Sequence, residues 1–325
     1  MSRAPSRRRP PDRRAARTDD AAPDGPDAEG DGPMGAEDAL SDSDGFGVDN
    51  APSRSLKHRE ITIEGFSRAA VQSYWRIPEL KVAFDVGAHP WSYMTTPNLL
   101  VTHGHLDHIA GLPLYLARRR MMKMPRPTVG LPKEIFAPVQ EMLRGFLPLD
   151  RGHFPARMVG FAPGEEYDLS REHLVSTHRT HHTIPSLGYI IWHRKRKLKD
   201  EYKDFTQDQI RAVALTGVDV SREVQTPIVA YTGDTSARGL DDNPEFYEAQ
   251  VLITEMSFVS PAHRPEALRK WGHMHLRDFV ERRDRFKNEL VIAGHFSTRY
   301  RDETVRRLVE QALPDMLGGR LRLWL

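Results

Sequence analysis

Residues 101–111 read VTHGHLDHIAG, and residues 103–108 of that stretch hold three histidines and an aspartate directly after an apolar run. Each imidazole or carboxylate taken from water needs a partner, so a buried core would not choose this stretch. On extended chain, alternate residues share a side. His103 and His105 therefore grip one ion together, while Asp107 and His108 fall in the turn beyond and face elsewhere. Four donors in that pattern suit two neighbouring cations better than one. Imidazole with carboxylate, and no thiolate, selects zinc first, with manganese or iron as the other choices.

The surroundings bound the class of protein. The chain has 325 residues, formal net charge +2 and no cysteine. Disulfides, thiolate zinc sites and cysteine nucleophiles are thereby excluded, and the expected setting is the reducing cytoplasm. The longest apolar stretches, such as NLLV and YIIW, fall far short of the roughly 20 residues that cross a bilayer, so no membrane is expected. Residues 1–18 hold seven arginines and one aspartate, and residues 19–50 hold eleven acids and no basic residue. Almost no large apolar side chain interrupts residues 1–55, which predicts a disordered, basic-then-acidic tail. The arginine-rich start lacks the apolar core of a secretory signal, leaving an organelle transit peptide as the alternative to a cytoplasmic chain.

Residues 56–325 read as one α/β domain. ELKVAFDVG, NLLVTH, RPTVGL, SLGYIIWH, TPIVAYTGD, AQVLITEMS and NELVIAGH are β-prone runs, most of them ending in a polar or ionisable residue. Helical spacing marks DHIAGLPLYLARRRMM, PKEIFAPVQEMLRGF, HLRDFVERRDRF and DETVRRLVEQAL. In layered α/β folds the loops at strand ends converge on a site, and here those ends carry the ionisable groups.

THGHLDH resembles the His-x-His-x-Asp-His signature of the metallo-β-lactamase superfamily, hydrolases built as an αββα sandwich with two metals at the sheet edges. HTIPSLGY (182–189), YTGDT (231–235) and GHFSTRY (294–300) are similar to segments of ribonuclease Z, the superfamily member that trims the 3′ trailer from precursor tRNA. The resemblance implies His103, His105 and His182 on one metal, Asp107, His108 and His295 on the other, and Asp234 bridging both. His178 and His181 compete with His182, and the distance to Ser186, Gly188 and Tyr189 favours His182. In ribonuclease Z a His-Glu-Ala-Thr and a Gly-His-Ser-Thr segment supply the general acid; here they read Thr254-Glu255-Met256-Ser257 and Gly272-His273-Met274-His275. His273 is the expected general acid oriented by Glu255, with His275 as its rival.

A metal pair activates water and neutralises phosphoryl charge, but the departing 3′ oxygen still needs a proton. Asp107 is a further catalytic candidate, because an acid beside the nucleophile can share its proton. Ser186 and Arg299 are candidate phosphate contacts, each with a structural role as the alternative. Asp85, in VAFDVGAHP, is expected to support the site rather than ligate, and His89 has no assigned role. The interval between His182 and Asp234 is short and lacks the Gly-Pro pair of the family's tRNA-holding arm, although HRKRKLK within it is basic. Precursor tRNA is thus the first expectation for the substrate, and a small phosphodiester or (thio)ester is the alternative. A non-catalytic platform ranks third because no ligand is missing. The resemblance also implies a homodimer.

Overall fold

Val251 and Ile253 turn to one side of their strand and Leu252 to the other, and all three are fully buried. The same double burial marks Tyr189, Ile190 and Ile191, and again Leu290, Val291 and Ile292. Strands covered on both faces read as unbroken apolar runs, which is why these segments stood out in the sequence.

The computed structural model describes residues 53–262 and 270–325. One sheet holds, in spatial order, β1 (Arg54–His58), β2 (Ile61–Arg68), β3 (Gln72–Ile77), β4 (Val82–Phe84), β5 (Asn98–Leu100), β6 (Thr128–Pro132) and β7 (Arg157–Phe161). The other holds β8 (Glu166–Asp168), β9 (His173–Arg179), β10 (Leu187–Leu198), β11 (Ser221–Tyr231), β12 (Val251–Glu255), β13 (Leu290–Gly294) and β14 (Leu321–Leu323), likewise in order. In each sheet the first three pairings are antiparallel and the last three parallel. The expected tail falls outside the described residues except at its end, where Arg54 and Ser55 already belong to β1.

Four layers result. Phe84 and Leu100 from the first sheet meet Tyr189, Val229, Ile253 and Ile292 from the second in one inner core. The outer face of the first sheet is covered by helices Leu112–Met121 and Phe136–Asp150, through Leu112, Tyr115, Leu116, Val139 and Leu143. Helices Leu276–Arg282 and Asp302–Ala312 cover the second through Leu276, Phe279, Val305 and Val309. This is the αββα sandwich expected from the motif. Among the described residues no helix is long and apolar enough to cross a membrane.

Two elements depart from the sequence reading. The helix read over 107–122 is two pieces, Leu106–Ile109 and Leu112–Met121, because Gly111 caps a new helix with Pro113 in its first turn. The interval after His182 is more than a short basic segment. β10 and β11 stay paired to Leu198↔Ser221, and from Arg194↔Gln225 onward, beyond the last β9 pairing at His193↔His173, they form a two-stranded ribbon. Its tip carries helix Gln207–Leu215, closed by a capping box between Thr206 and Gln209, with no buried residue. Arg194 pairs with Asp168 and Arg196 with Asp219, so part of the basic run is neutralised.

The inner core carries the stability. Ile253→Ala, at a fully buried position, is expected to cost about 2–5 kcal/mol in chemical denaturation. Leu215→Ala on the ribbon tip, where the side chain is exposed, should stay within about 0.5 kcal/mol.

Candidate active site

Every element of the site leaves the same edge of the sandwich. β4 ends at Phe84 and delivers Asp85, while β5 ends at Leu100 and the chain after it passes through Thr102 into His103. β11 turns into Asp234, β12 ends on Glu255, and β13 delivers His295. His182 comes from the loop joining β9 to β10. Two glycines permit the approach. Gly233 has φ 58°, and a Cβ there would stand 2.7 Å from the Thr102 side chain. Gly272 has φ 64°, and its Cβ would stand 2.8 Å from the His182 Cα. Asp85 and His295 are non-glycine residues in the same left-handed region, with φ 56° and 58°, a conformation held only where the surroundings over-determine it.

The donor atoms form two groups around one carboxylate. His105 Nδ1 lies 3.1 Å from His103 Nε2 and 3.0 Å from His182 Nε2. Asp234 Oδ2 faces that group, 3.7 Å from His103 and 4.0 Å from His182. His108 Nε2 and His295 Nε2 stand 3.2 Å apart, and Asp234 Oδ1 is 3.4 Å from each. Asp107 Oδ2 joins this second group at 3.5 Å from His295 and 3.9 Å from His108. Four donors placed tetrahedrally at about 2.0–2.1 Å from a cation would lie about 3.3–3.4 Å apart, close to what is found.

The outward nitrogens settle the tautomers. Asp85, fully buried, accepts from Thr102 N at 2.7 Å, Thr102 Oγ1 at 2.9 Å, His108 Nδ1 at 2.7 Å and Tyr231 Oη at 2.6 Å. With the Thr102 hydroxyl proton spent on Asp85, Thr102 Oγ1 accepts from His103 Nδ1 at 2.9 Å. His182 Nδ1 donates to the Gly272 carbonyl at 3.1 Å. His295 Nδ1 donates to Ser257 Oγ at 3.0 Å, and that hydroxyl in turn donates to Glu255. His103, His108, His182 and His295 then aim Nε2 inward, whereas His105 presents Nδ1. Asp234 is 2% exposed, and its close partners are these imidazoles. Lone pairs and a buried carboxylate facing one another are stabilised by cations, so the residues fit two divalent metal ions.

Electrostatics divide the rings: burial opposes charge on His108, but Asp234 and Asp85 outweigh it and raise that ring well above the usual imidazole range, so a cation there has to displace its proton. Burial, reinforced by the charge on neighbouring rings, holds His103 well below the usual imidazole range. Burial likewise lowers His105 and His182, leaving the neutral rings a metal requires. For Asp107, burial opposes ionisation, but the His295 contact and the His108 charge prevail and bring it to about 2. It is therefore a carboxylate at neutral pH.

His273 differs from these rings. Its Nδ1 lies 3.0 Å from both Glu255 oxygens. Burial alone would lower it, but the Glu255 charge and hydrogen bond outweigh that and raise it to about 9. Glu255 is itself anchored by Thr235 N at 2.6 Å and Met274 N at 3.2 Å. A ring nitrogen of His273 lies within 4.8 Å of donor atoms of Asp234 and His295, so a protonated imidazole stands at the cluster's edge.

The other sequence candidates divide as follows. His275 caps helix Leu276–Arg282, accepting from Arg277 N at 3.0 Å while its Nε2 meets the Ser260 carbonyl at 2.9 Å, which occupies both nitrogens. His181 pairs with Asp242 at 2.8 Å, and His178 contacts Ser176 at 2.8 Å and Asn243 at 3.3 Å. Ser186 is buried with its hydroxyl 2.7 Å from Thr180 Oγ1, a tie within the His182 loop. Arg299 is exposed, with no ion pair among the described residues. His89 is buried, stacked on Tyr93, and pushed down to about 4 by burial. Thr102, Ser257 and Tyr231 were not foreseen as site residues. The only local signal for them was a hydroxyl beside a ligand or at a strand end.

Two facing sheets with a seven-residue cluster of imidazoles and carboxylates at their common edge define a metal-dependent hydrolase. The Beta-lactamase superfamily domain matches residues 96–296. tRNase Z TRZ1 of Arabidopsis thaliana is 34% identical over 270 residues, covering 82% of this chain and 96% of that protein. tRNase Z TRZ2, chloroplastic, from the same plant is 33% identical over 258 residues, covering 79% and 73% respectively. Among solved structures, the metallo-beta-lactamase fold protein YhfI from Bacillus subtilis shares the fold at TM-score 0.54 and 14% identity, covering 79% of this chain and 91% of that one. This chain belongs to the ribonuclease Z family of the beta-lactamase superfamily.

Asp85→Asn removes the charge and turns one of the two oxygens that hold His108, Thr102 and Tyr231 into a donor. Calorimetric titration should show divalent-cation affinity reduced about 10–100-fold. Glu255→Gln removes the charge that keeps His273 protonated. The proton is present below a raised pKa and lost above it, so the alkaline limb of the activity profile should move to lower pH in the variant, and an unmoved limb would refute the pairing.

Proposed function

We propose that this chain is a dinuclear metal-dependent endoribonuclease that removes the 3′ trailer of precursor tRNA. The observation that carries the reading is the Glu255–His273 pair set against the ligand cluster. Hydrolysis of a thioester releases a thiolate that needs little help, whereas an RNA phosphodiester expels an alkoxide that needs a proton. The similarity to two plant tRNase Z proteins over most of the chain supports the tRNA substrate.

In this reading His103, His105, His182 and Asp234 hold one ion, and Asp107, His108, His295 and Asp234 hold the other. The nitrogen and oxygen donors and their near-tetrahedral spacing support zinc, with manganese or iron as alternatives. When bound, such ions supply an activated water and neutralise charge on the phosphoryl oxygens. Asp107, ionised and fixed by Ala70 N at 2.8 Å, would orient the attacking water by accepting a hydrogen bond from it. His273 donates from Nε2 to the departing 3′ oxygen, and Glu255 holds the ring by its Nδ1–H. Ser186 and Arg299 stay as phosphate-contact proposals, Arg299 being the freer of the two. The proposal includes the homodimer and the cytoplasmic location implied by the sequence reading. The cysteine-free composition supports the latter, and an organelle is the alternative.

The test is incubation with a labelled precursor tRNA bearing a 3′ trailer, with and without zinc or manganese. Metal-dependent cutting after the nucleotide preceding the trailer is expected. His273→Ala should lower the rate about 10²–10⁴-fold with metal content unchanged, and Asp234→Ala should lose both metal and activity. Metal-loaded protein that leaves the RNA intact but hydrolyses an acyl thioester or a small phosphodiester would overturn the tRNA reading.

A further inference from the structure

His273 lines two separate openings. One is a mouth of about 550 Å³ over the ligand cluster, shared with Asp107, Asp234 and His295 and rimmed by Ala70 and Leu106. The other is a cleft of about 1520 Å³ on the far side of His182 and His273. It runs beneath the β9–β10 loop toward helices Leu276–Arg282 and Asp302–Ala312. Beyond His182, His273 and Ser186 at its inner end, the catalytic account leaves this cleft without a task.

Its position relative to the proton donor says what belongs there. With Nδ1 committed to Glu255, only Nε2 of His273 is free to donate. The oxygen that receives the proton belongs to the ribose on the 5′ side of the scissile bond, so that ribose sits beside His273. The small mouth has to accommodate the phosphodiester and the ligand face, and its volume is that of a single small-ligand site. The larger cleft begins where that ribose must lie. Its charge is also suitable. Arg277 is paired with Glu281, Arg238 with Asp242, and Arg282 with Asp241 and Asp278; the lining residues left without an ion pair among the described residues include two cations, Arg179 and Lys270, and one acid, Glu134, at the cleft wall. Ile184, Pro185 and Val259 supply apolar lining between the charges. Cations spaced along apolar wall suit a strand of alternating phosphates and bases.

We propose that this cleft binds the RNA segment on the 5′ side of the cut, the nucleotides that end in the departing 3′ oxygen, with Arg179 and Lys270 on their phosphates. The inference rests on the endoribonuclease reading and assigns the strand to one side of the centre. Neither cation touches the ligand cluster, so both act on RNA affinity rather than on chemistry.

The experiment uses the full-length metal-loaded protein with Arg179→Glu, Lys270→Glu and both together. Each single change should raise KM for precursor tRNA about tenfold, one phosphate contact reversed, and leave kcat within about twofold. Hydrolysis of bis(p-nitrophenyl) phosphate, too small to reach the cleft, should be unaltered and reports that the variants fold and hold metal. A 4-thiouridine placed just 5′ of the cut should crosslink to the segment 179–187, and one placed just 3′ should not. Unchanged KM in the double variant, or crosslinking from the 3′ position instead, would overturn the assignment while leaving the ribonuclease reading intact. A wild-type protein that hydrolyses the small diester but cuts no RNA refutes that reading and this inference with it.

Discussion

Three carboxylates are buried at one edge of the sandwich, and how each is compensated organises the site. Removing a carboxylate from water costs several kcal/mol even after relaxation. Asp85 offsets this with four donors, and Glu255 with two backbone N–H groups, the Ser257 hydroxyl and His273. Asp234 is 2% exposed and faces imidazole nitrogens at 3.4–4.0 Å. The compensating positive charge comes from the proton that Asp234 and Asp85 hold on His108, or from cations bound in its place. The two satisfied carboxylates thus shape the setting of the third: Asp85 and Glu255 fix rings that face Asp234.

The backbone brings these groups together through a repeated topology. Each seven-stranded sheet passes from three antiparallel pairings to three parallel ones, and the ligands and their supports come from the parallel halves and the loop before β10. β4 and β11 hold the same place in their sheets, the fourth strand, and deliver Asp85 and Asp234 respectively. The fifth strands, β5 and β12, deliver His103 and Glu255. Facing the two sheets across the shared core of Phe84, Leu100, Tyr189 and Ile253 brings both sets of strand ends to one edge. Chains of packed aliphatic residues beneath the strand ends are what hold donors in place to within a few tenths of an ångström.

How much of this was legible in the sequence depended on range. The 103–108 cluster was readable because its donors are neighbours in the chain, and strand alternation alone sorts them into two groups. The strands at 98–100, 251–255 and 290–294 and the first part of β10, 187–191, were readable from apolar runs, since both of their faces are largely buried. β1 to β3, β7 to β9 and β14 were not picked out: β1, β7, β8 and β14 are edge strands with exposed or half-buried positions, and β2, β3 and β9 interleave polar residues with their buried ones, so no apolar run marks them. Asp234 and His295 gained meaning only through resemblance to a family, because a lone acid or histidine at a strand end is ambiguous. Asp85 was placed as a support but not as the acceptor of four bonds, since its partners Tyr231 and His108 are 146 and 23 residues away. The ribbon of β10 and β11 was hidden by its polarity: a hairpin exposed on both faces has no apolar signature.

The site also shows that a carboxylate–imidazole pair does not by itself make a proton donor. His108 bonds Asp85 at 2.7 Å and His273 bonds Glu255 at 3.0 Å, and in both cases the carboxylate takes Nδ1. The difference is what the other nitrogen meets. His108 has no exposed side-chain surface, and its Nε2 points at His295 and Asp234. There the carboxylate raises the ring's basicity toward a metal. His273 keeps 19% of its side chain exposed and lines both openings, so the same basicity is directed at a proton. In the proposed function, two similar pairs set on opposite sheets take the roles of ligand and acid through the direction of one ring nitrogen.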